Sequence, residues 1–497
     1  MKNAAGTDVH HTFDPSLKTH YMKYGFALLV ALLTGTAAMA QDIPDISGNW
    51  YSVLSMQGHK LRLNIFLDRT SDTSYTGTFF SPDQVKQGFP INHASLHGDT
   101  LAFAVPMVGG SFRGIWDFRA SAYIGSFKQG GLSLPLGFSR VETTEADIKH
   151  NRPQTPKPPF NYLSQEILVH NDSAKVTLAG TFTRPNRNKR YTTVILITGS
   201  GPQDRDETLF DHKPFWIIAD QLAKEGIATL RLDDRGVGAS TGNYSTATIS
   251  DFASDVRAAM AYLRTRPDVD VQHIGLLGHS EGAQVMQVVA ADNPYVAFCV
   301  SLSGPGVPGA DLMLKQNELV YRSMNATPEQ IKTRLDYMKN ILGIMSTETD
   351  KTALSKKLTD EVKREYAALP DSVKAGVPEA QYVFSNVAGF SRPELLSIVR
   401  FNPADYLPRI HCPFLAINGS RDIQVDATQN LNGIDALLRQ GGNNRITIRK
   451  FEGLNHLLQE CQECTVAEYE TLEQSISPNV VDFISNWLTL LPTLQSK

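Results

Sequence analysis

The sequence predicts a mixed α/β protein, in which a mostly parallel sheet covered by helices carries a helical insertion and follows a small all-β domain. Three observations predict it. From residue 163 onward, apolar strand-like runs alternate with amphipathic helical stretches. Over residues 44–140, short β-rich runs alternate with turn residues and helical periodicity is absent. A proline-rich stretch divides the two patterns. The 497 residues are 41% hydrophobic and 20% charged, which excludes a disordered or fibrous chain. The 47 Lys and Arg against 51 Asp and Glu give a formal charge of −4, with no electrostatic footprint for nucleic acid. Four cysteines cannot staple a chain of this length, so an apolar core has to hold it.

Residues 25–40, GFALLVALLTGTAAMA, form the longest apolar run, too short and too rich in small residues to span a bilayer. Met22-Lys23 precedes it and Ala38-Met39-Ala40 ends it in a small-x-small pattern. This reads as a signal peptide cut after Ala40, with residues 1–21 as an upstream start-site extension. No later segment reaches the ~18 apolar residues that a spanning helix needs. The mature chain is therefore expected to be exported, periplasmic or secreted, without a transmembrane segment.

Residues 41–140 are expected to form a barrel or sandwich of about seven to nine strands. In LRLNIFL, Leu61, Leu63, Ile65 and Leu67 share one side of a strand. Trp50, Tyr51, Trp116 and Phe118 could form a binding face there, although core packing is the commoner fate of such aromatics. Residues 141–162 carry Pro153, Pro156, Pro158 and Pro159 and read as a stiff, extended linker.

Residues 163–497 hold the α/β domain. The runs at 192–198, 227–232, 273–278, 297–303 and 413–418 are nearly continuous in apolar residues, as strands buried on both faces are. Phe252, Val256, Ala259, Met260 and Leu263 line one face of a helix, and Ser250-Asp251 suits its start. Residues 177–198 read as an antiparallel hairpin adding edge strands. Residues 305–405 show helical patterns and no convincing strand, which predicts a helical lid.

The chemistry centres on Gly278-His279-Ser280-Glu281-Gly282, a G-x-S-x-G that ends a predicted strand and opens a predicted helix. A serine on such a turn exposes its hydroxyl in strained geometry, and the helix N-terminus favours negative charge nearby. The hydroxyl needs a base. Only His411 and His456 follow Ser280. His411 starts a predicted strand, at the end away from the nucleophile. His456 follows the run RITIRKF, at the end where sites on open α/β sheets gather, and is the expected base. The acid should follow the strand PFLAIN, where Asp422 is preferred and Asp426 competes, with helix capping as its alternative role. An oxyanion needs two donors. The backbone N–H of Glu281 is one, and Ser200 and Gly201 of the loop TGSGPQDRDE are placed to supply the other. The side chain of Glu281 either points to solvent or gates the pocket.

Taken together, TGSGPQDRDE, RLDDRGVGASTG, GHSEG, GSRDIQV and GLNHLLQ resemble the α/β-hydrolase superfamily over about residues 163–490. The match is nearest to bacterial exported carboxylesterases with an N-terminal β-domain. The resemblance implies Ser280, Asp422 and His456 as a catalytic triad, with the backbones of Ser200 and Glu281 as oxyanion donors. Thr198-Gly199 stands where many relatives have His-Gly, which removes one side-chain support of that loop. Asp233, Asp234 and Arg235 read as loop-fixing ion-pair residues, and no phosphate loop is formed because no Lys-Ser/Thr follows. Cys461 and Cys464 can form a local disulfide or stay free; no second pair completes a zinc site. The expected activity is hydrolysis of a small-molecule carboxylic ester through an acyl-enzyme, with no cofactor or metal. The alternatives are an aminopeptidase-like peptidase, drawing on a lid carboxylate such as Glu318, Asp336 or Glu348, a thioesterase, or an inert glycan- or peptide-binding protein. Nothing in the sequence fixes the oligomeric state.

Overall fold

The computed structural model describes residues 45–491 apart from 57–58, 85–86, 130–131, 188 and 375–376. The expected export leader, residues 1–40, lies outside them. No described helix is long and apolar enough to cross a membrane.

The N-terminal unit is a closed barrel of eight strands in chain order: β1 (Gly48–Met56), β2 (His59–Arg69), β3 (Ser74–Phe80), β4 (Phe89–His97), β5 (Thr100–Val105), β6 (Gly110–Asp117), β7 (Ala122–Gln129) and β8 (Leu132–Ser139). All neighbours are antiparallel, and β1 meets β8 at Tyr51 and Ser139. Closure leaves no edge strand to pair with another chain. The interior is filled with side chains. Trp50, Leu63, Ile65, Phe103, Phe112, Tyr123, Phe127 and Phe138 are buried inside it. Rings occupy the space over inward glycines: a Cβ on Gly110 would lie 2.5 Å from the Phe127 ring, and one on Gly114 2.5 Å from the Phe112 ring. Arg140 closes one end, stacked 4.0 Å over Trp50 and donating to the carbonyls of Asp45, Ser47 and Asn49. Trp50 is therefore a core residue and Trp116 packs partly buried against that core, whereas Phe118 is 53% exposed.

The segment after the barrel is not a free spacer. It contains α1 (Glu145–Ile148) and then binds the second unit through side chains. Arg152 donates to the carbonyls of Phe210 (2.9 Å), Leu472 (2.6 Å) and Glu470 (2.9 Å). Gln154 donates to Ile476 O at 2.7 Å, and the backbone N–H of His150 donates to Asp211 at 3.0 Å. The prolines keep this strip extended, and its polar side chains satisfy loop carbonyls of the neighbouring unit. Lys60 of the barrel pairs with Glu470 at 2.5 Å.

The second unit is built on an eight-stranded sheet of β9 (Tyr162–Asn171), β10 (Val176–Pro185), β11 (Tyr191–Ile197), β12 (Ala228–Leu232), β13 (Val269–His279), β14 (Cys299–Leu302), β15 (Phe414–Gly419) and β16 (Ile446–Phe451), in the order β16-β15-β14-β13-β11-β12-β10-β9. From β12 to β16 all neighbours are parallel, and β9 and β10 are an antiparallel pair at one edge. The hairpin expected between residues 177 and 198 is thus corrected: β10 pairs with β9 and β12, and β12 separates it from β11. Burial explains the difference. Val194, Ile195 and Leu196 of β11 are at most 3% exposed and need the sheet centre, whereas Leu163 and Leu168 of β9 are 42% and 55% exposed and tolerate an edge.

Helices α2 (Pro214–Lys224) and α12 (Pro478–Leu490) cover one face of the sheet. Helices α3 (Ile249–Arg264), α4 (Glu281–Asp292) and α11 (Ala427–Gln440) cover the other. The cap of α3 is Thr248, in a reciprocal box with Asp251, so the helix begins just before the expected Ser250. Between β14 and β15 lie α5 (Gly309–Ser323), α6 (Pro328–Thr347), α7 (Lys351–Ala368), α8 (Asp371–Lys374), α9 (Glu379–Phe390) and α10 (Pro393–Arg400). They share their own apolar cluster around Ile341, Leu342, Leu358 and Val362, so the insertion is a packed subunit of the fold.

Replacing Arg152 by Ala leaves three partly buried carbonyls without this donor. The Arg152→Ala chain is expected to lose about 2–3 kcal/mol of stability, measured by urea denaturation of the full chain.

Candidate active site

The C-terminal end of β13 runs into α4 through Ser280, whose backbone sits at φ 52° and ψ −116°. A non-glycine residue there costs roughly 1–3 kcal/mol and persists only where its surroundings force it. The surroundings are tight. A Cβ on Gly282 would lie 2.2 Å from the carbonyl oxygen of Ile197, and one on Gly278 would lie 2.3 Å from that of Gly282. The two glycines of the motif let the first turn of α4 press against the end of β11. Among the described residues the Ser280 hydroxyl has no hydrogen-bond partner.

His456 and Asp422 come from the loops after β16 and β15. His456 Nδ1 lies 2.8 Å from Asp422 Oδ2, and both side chains are buried. The other Asp422 oxygen accepts the N–H groups of Gln424 (2.8 Å) and Val425 (2.9 Å), which fixes the carboxyl plane. The backbone carbonyl of His456 accepts from Ser303 Oγ at 3.0 Å and from His279 Nε2 at 3.1 Å. The His279 and His456 rings lie 4.9 Å apart, which brings the base loop beside the nucleophile turn. Asp426 is elsewhere employed: its side chain caps α11 by accepting Gln429 N at 2.7 Å. His411 precedes β15 at the opposite end of the sheet.

The loop after β11 supplies a second set of donors. Among the described residues, neither Ser200 N–H nor Glu281 N–H has an acceptor, whereas their neighbours are engaged. Gly199 N donates to Glu207 Oε1 at 2.6 Å, and Gly201 N donates to Tyr244 Oη at 2.7 Å and to Glu394 Oε1 at 3.0 Å. Thr198, which stands in place of the histidine of many relatives, donates to Asp234 at 2.8 Å, and Asp234 also accepts Gln203 N at 2.9 Å. Asp233 holds Arg205 through contacts of 3.0 and 2.8 Å, and Arg235 holds Asp255 at 2.8 Å. The acidic and basic residues of RLDDRG therefore fix the loop.

Three residues at the site carry no individual signal in the sequence. Glu207 bonds both Gly199 N and, at 2.8 Å, His279 Nδ1. Tyr244 and Glu394 bond each other at 2.5 Å and together hold Gly201. Glu394 lies on α10, so the insertion touches the oxyanion loop directly. The lid acids considered from sequence each form ion pairs: Glu318 with Lys315 and Arg322, Asp336 with Lys332, and Glu348 with Lys357. The Glu281 side chain does not reach solvent. It is 5% exposed, its Oε1 has no partner, and burial, reinforced by Glu394 and Asp234, pushes its carboxyl well above the usual range. Burial likewise pushes Asp234 up to about 8. For His279, burial opposes the charged form but the Glu207 carboxylate outweighs it, and the net direction is upward. Cys461 and Cys464 are joined in a disulfide, so neither sulfur is free to bind a metal.

A family model described as serine aminopeptidase, S33, matches residues 215–388. Esterase EstD of Thermotoga maritima is 26% identical over 329 residues, 66% of this chain and 69% of the relative. Among solved structures, an esterase from Pyrococcus furiosus is 18% identical with a TM-score of 0.39, over 66% of this chain and 91% of its own. Est1E from Butyrivibrio proteoclasticus, with ferulic acid bound, is 14% identical with a TM-score of 0.38, over 65% of this chain and 98% of its own.

Asp234 generates a pH prediction. Its native form keeps a proton up to about pH 8, while the unfolded chain releases it near the ordinary value of 3.8. Between these values the native state binds the extra proton, so this group's contribution to stability falls as pH rises. Asp234→Asn removes that slope. Urea denaturation should show the variant gaining on the wild type between pH 5 and pH 8; a constant difference would contradict it.

Proposed function

We propose that the chain is a serine esterase of the α/β-hydrolase type, acting on carboxylic esters through an acyl-enzyme on Ser280, His456 and Asp422. The reading is carried by one observation: the turn of a strained serine, through its neighbour His279, adjoins the loop of a histidine held by a buried carboxyl group, with two unengaged backbone N–H groups alongside. EstD, the relative named an esterase, supports the same reaction class.

In this reading Ser280 Oγ attacks the ester carbonyl carbon while His456 Nε2 takes its proton. The carbonyl oxygen becomes an oxyanion and accepts the N–H groups of Ser200 and Glu281. These donors need no reorganisation because no protein acceptor competes for them. Collapse expels the alkoxide, which receives the proton from His456, and leaves an acyl group on Ser280. Water then attacks the acyl carbon, gives its proton to His456, and a second collapse releases the carboxylic acid and restores the hydroxyl. Asp422 orients the imidazole and stabilises its charged form. The hydroxyl–imidazole bond forms as substrate seats, since such bonds are often long in unliganded sites.

One observation favours an aminoacyl-amide substrate as a second reading. Glu394 places a carboxyl group beside the oxyanion loop, where a substrate ammonium would be held. Export completes the proposal, since the Cys461–Cys464 disulfide suits an oxidising compartment.

Ser280→Ala should abolish p-nitrophenyl acetate turnover and fluorophosphonate labelling while the far-UV spectrum stays unchanged. Asp422→Asn should lower kcat by roughly 10³–10⁴-fold. A panel of esters and aminoacyl p-nitroanilides distinguishes the two substrate readings, and kcat/KM should favour the esters. Mass spectrometry of protein recovered from the periplasm should find a chain beginning at Gln41; an intact residue 1 would overturn export by this leader.

A further inference from the structure

Glu207 and His279 stand outside the steps just described, yet they join the three segments that carry them. Glu207 Oε1 accepts Gly199 N at 2.6 Å, on the loop bearing Ser200. The same oxygen lies 2.8 Å from His279 Nδ1, on the residue before the nucleophile. The other ring nitrogen of His279 lies 3.1 Å from the carbonyl oxygen of His456. Glu207 is 6% exposed and His279 7% exposed, so water does not compete for these contacts.

The protonation state follows from the partners. A carbonyl oxygen only accepts, so His279 Nε2 carries a proton. Between Nδ1 and Oε1 the proton resides on the stronger base, the imidazole. His279 is thus an imidazolium paired with a carboxylate, and both of its N–H groups are committed to fixed acceptors.

The backbone of Glu207 supports a positioning task. It lies at φ 54°, and Phe210 and Asp211 lie at 49° and 62°. Such a run of left-handed, non-glycine residues survives only under external constraint. Neighbouring segments supply the constraint: Arg152 holds Phe210, His150 holds Asp211, and His212 bonds Ser475 and Tyr469.

We propose that Glu207 and His279 are positioning residues, a buried ion pair that keeps the oxyanion loop and the base loop in register with Ser280. The proposal rests on the esterase reading for its kinetic consequence and on geometry alone for the pair itself. If the pair is lost, Gly199 N loses its acceptor and the His456 carbonyl keeps only Ser303. The oxyanion donor and the base then drift relative to the nucleophile, a displacement that affects the transition state more than substrate binding. The titratable groups facing the His279 ring are Glu207, His456 and Asp422.

The test uses the full chain. Proton NMR of the wild type at pH 7 should show two downfield ring N–H signals from His279, assigned by their absence in His279→Asn. In Glu207→Gln the Nδ1 signal should disappear. With p-nitrophenyl acetate, Glu207→Gln should lower kcat by roughly 10²-fold and leave KM within about threefold. Without its anion, His279 gives up its proton more readily, so the alkaline fall in kcat should move to lower pH. A wild-type His279 with a single ring proton at pH 7 overturns the ion pair whether or not the variant folds. A folded Glu207→Gln with unchanged kcat and pH profile overturns the positioning role. A wild type that shows both signals but hydrolyses no ester and takes no fluorophosphonate leaves the pair standing and defeats the esterase reading.

Discussion

The close approach of α4 to the end of β11 is the constraint on which the site depends. Gly278 and Gly282 permit that approach because a side chain at either would overlap backbone. The turn between them then has no relaxed conformation open to it, and Ser280 takes a left-handed φ. The strain is small beside the apolar burial on both sheet faces, where Leu276 and Leu277 of β13 and Val285, Met286 and Val289 of α4 are nearly fully buried. The core therefore holds the turn in place. Two consequences follow from one geometry: the hydroxyl projects from the rim of the sheet, and the N–H of Glu281, as the first of its helix, is left without an intrahelical acceptor.

The same reasoning extends outward to the segment joining the two units. Residues 204–212 are irregular, and three of them occupy unfavourable backbone conformations. Bonds within the loop close its turns, with Asp204 accepting the N–H groups of Asp206, Glu207 and Thr208. It is braced further by Arg152 and His150 on one side and by the 469–476 segment on the other. Arg152 bonds both at once, so a residue read as part of a spacer acts as a brace between the oxyanion side and the base side of the site. The barrel adds Lys60 to this junction and is otherwise complete in itself, its interior occupied by aromatic rings.

What was legible in the sequence is what local chemistry dictates. Apolar runs such as TTVILIT declare a strand buried on both faces, and G-x-S-x-G between a strand and a helix declares a tight turn. Asp422 was separable from Asp426 because a capping position is visible from sequence, and Asp426 indeed caps α11. The hairpin misreading at 177–198 has a different origin: nothing local states that β12 will return between β10 and β11, since that depends on which strand most needs the centre. Glu394 lies 193 residues from the glycine it bonds, and Glu207 becomes recognisable only when the fold sets it against His279. Contacts of this kind are products of tertiary structure and leave no periodicity to read.

The buried acids near the nucleophile pose an electrostatic question that their environments answer. An oxyanion held by the N–H of Glu281 would be opposed by a carboxylate on that same residue, in a medium where charges interact strongly. Glu281 avoids the conflict by burial: with no donor to Oε1 and with Glu394 and Asp234 nearby, its neutral form is favoured. Burial favours the neutral form of Asp234 as well near neutral pH. Asp422 sits in the contrasting setting, with two backbone N–H groups and an imidazole directed at its oxygens. The fold thus treats its carboxyl groups differently. Asp422 meets converging donors beside the histidine, Asp234 keeps its proton through burial in spite of the Thr198 and Gln203 donors, and Glu281 is buried without a donor to Oε1 and keeps its own.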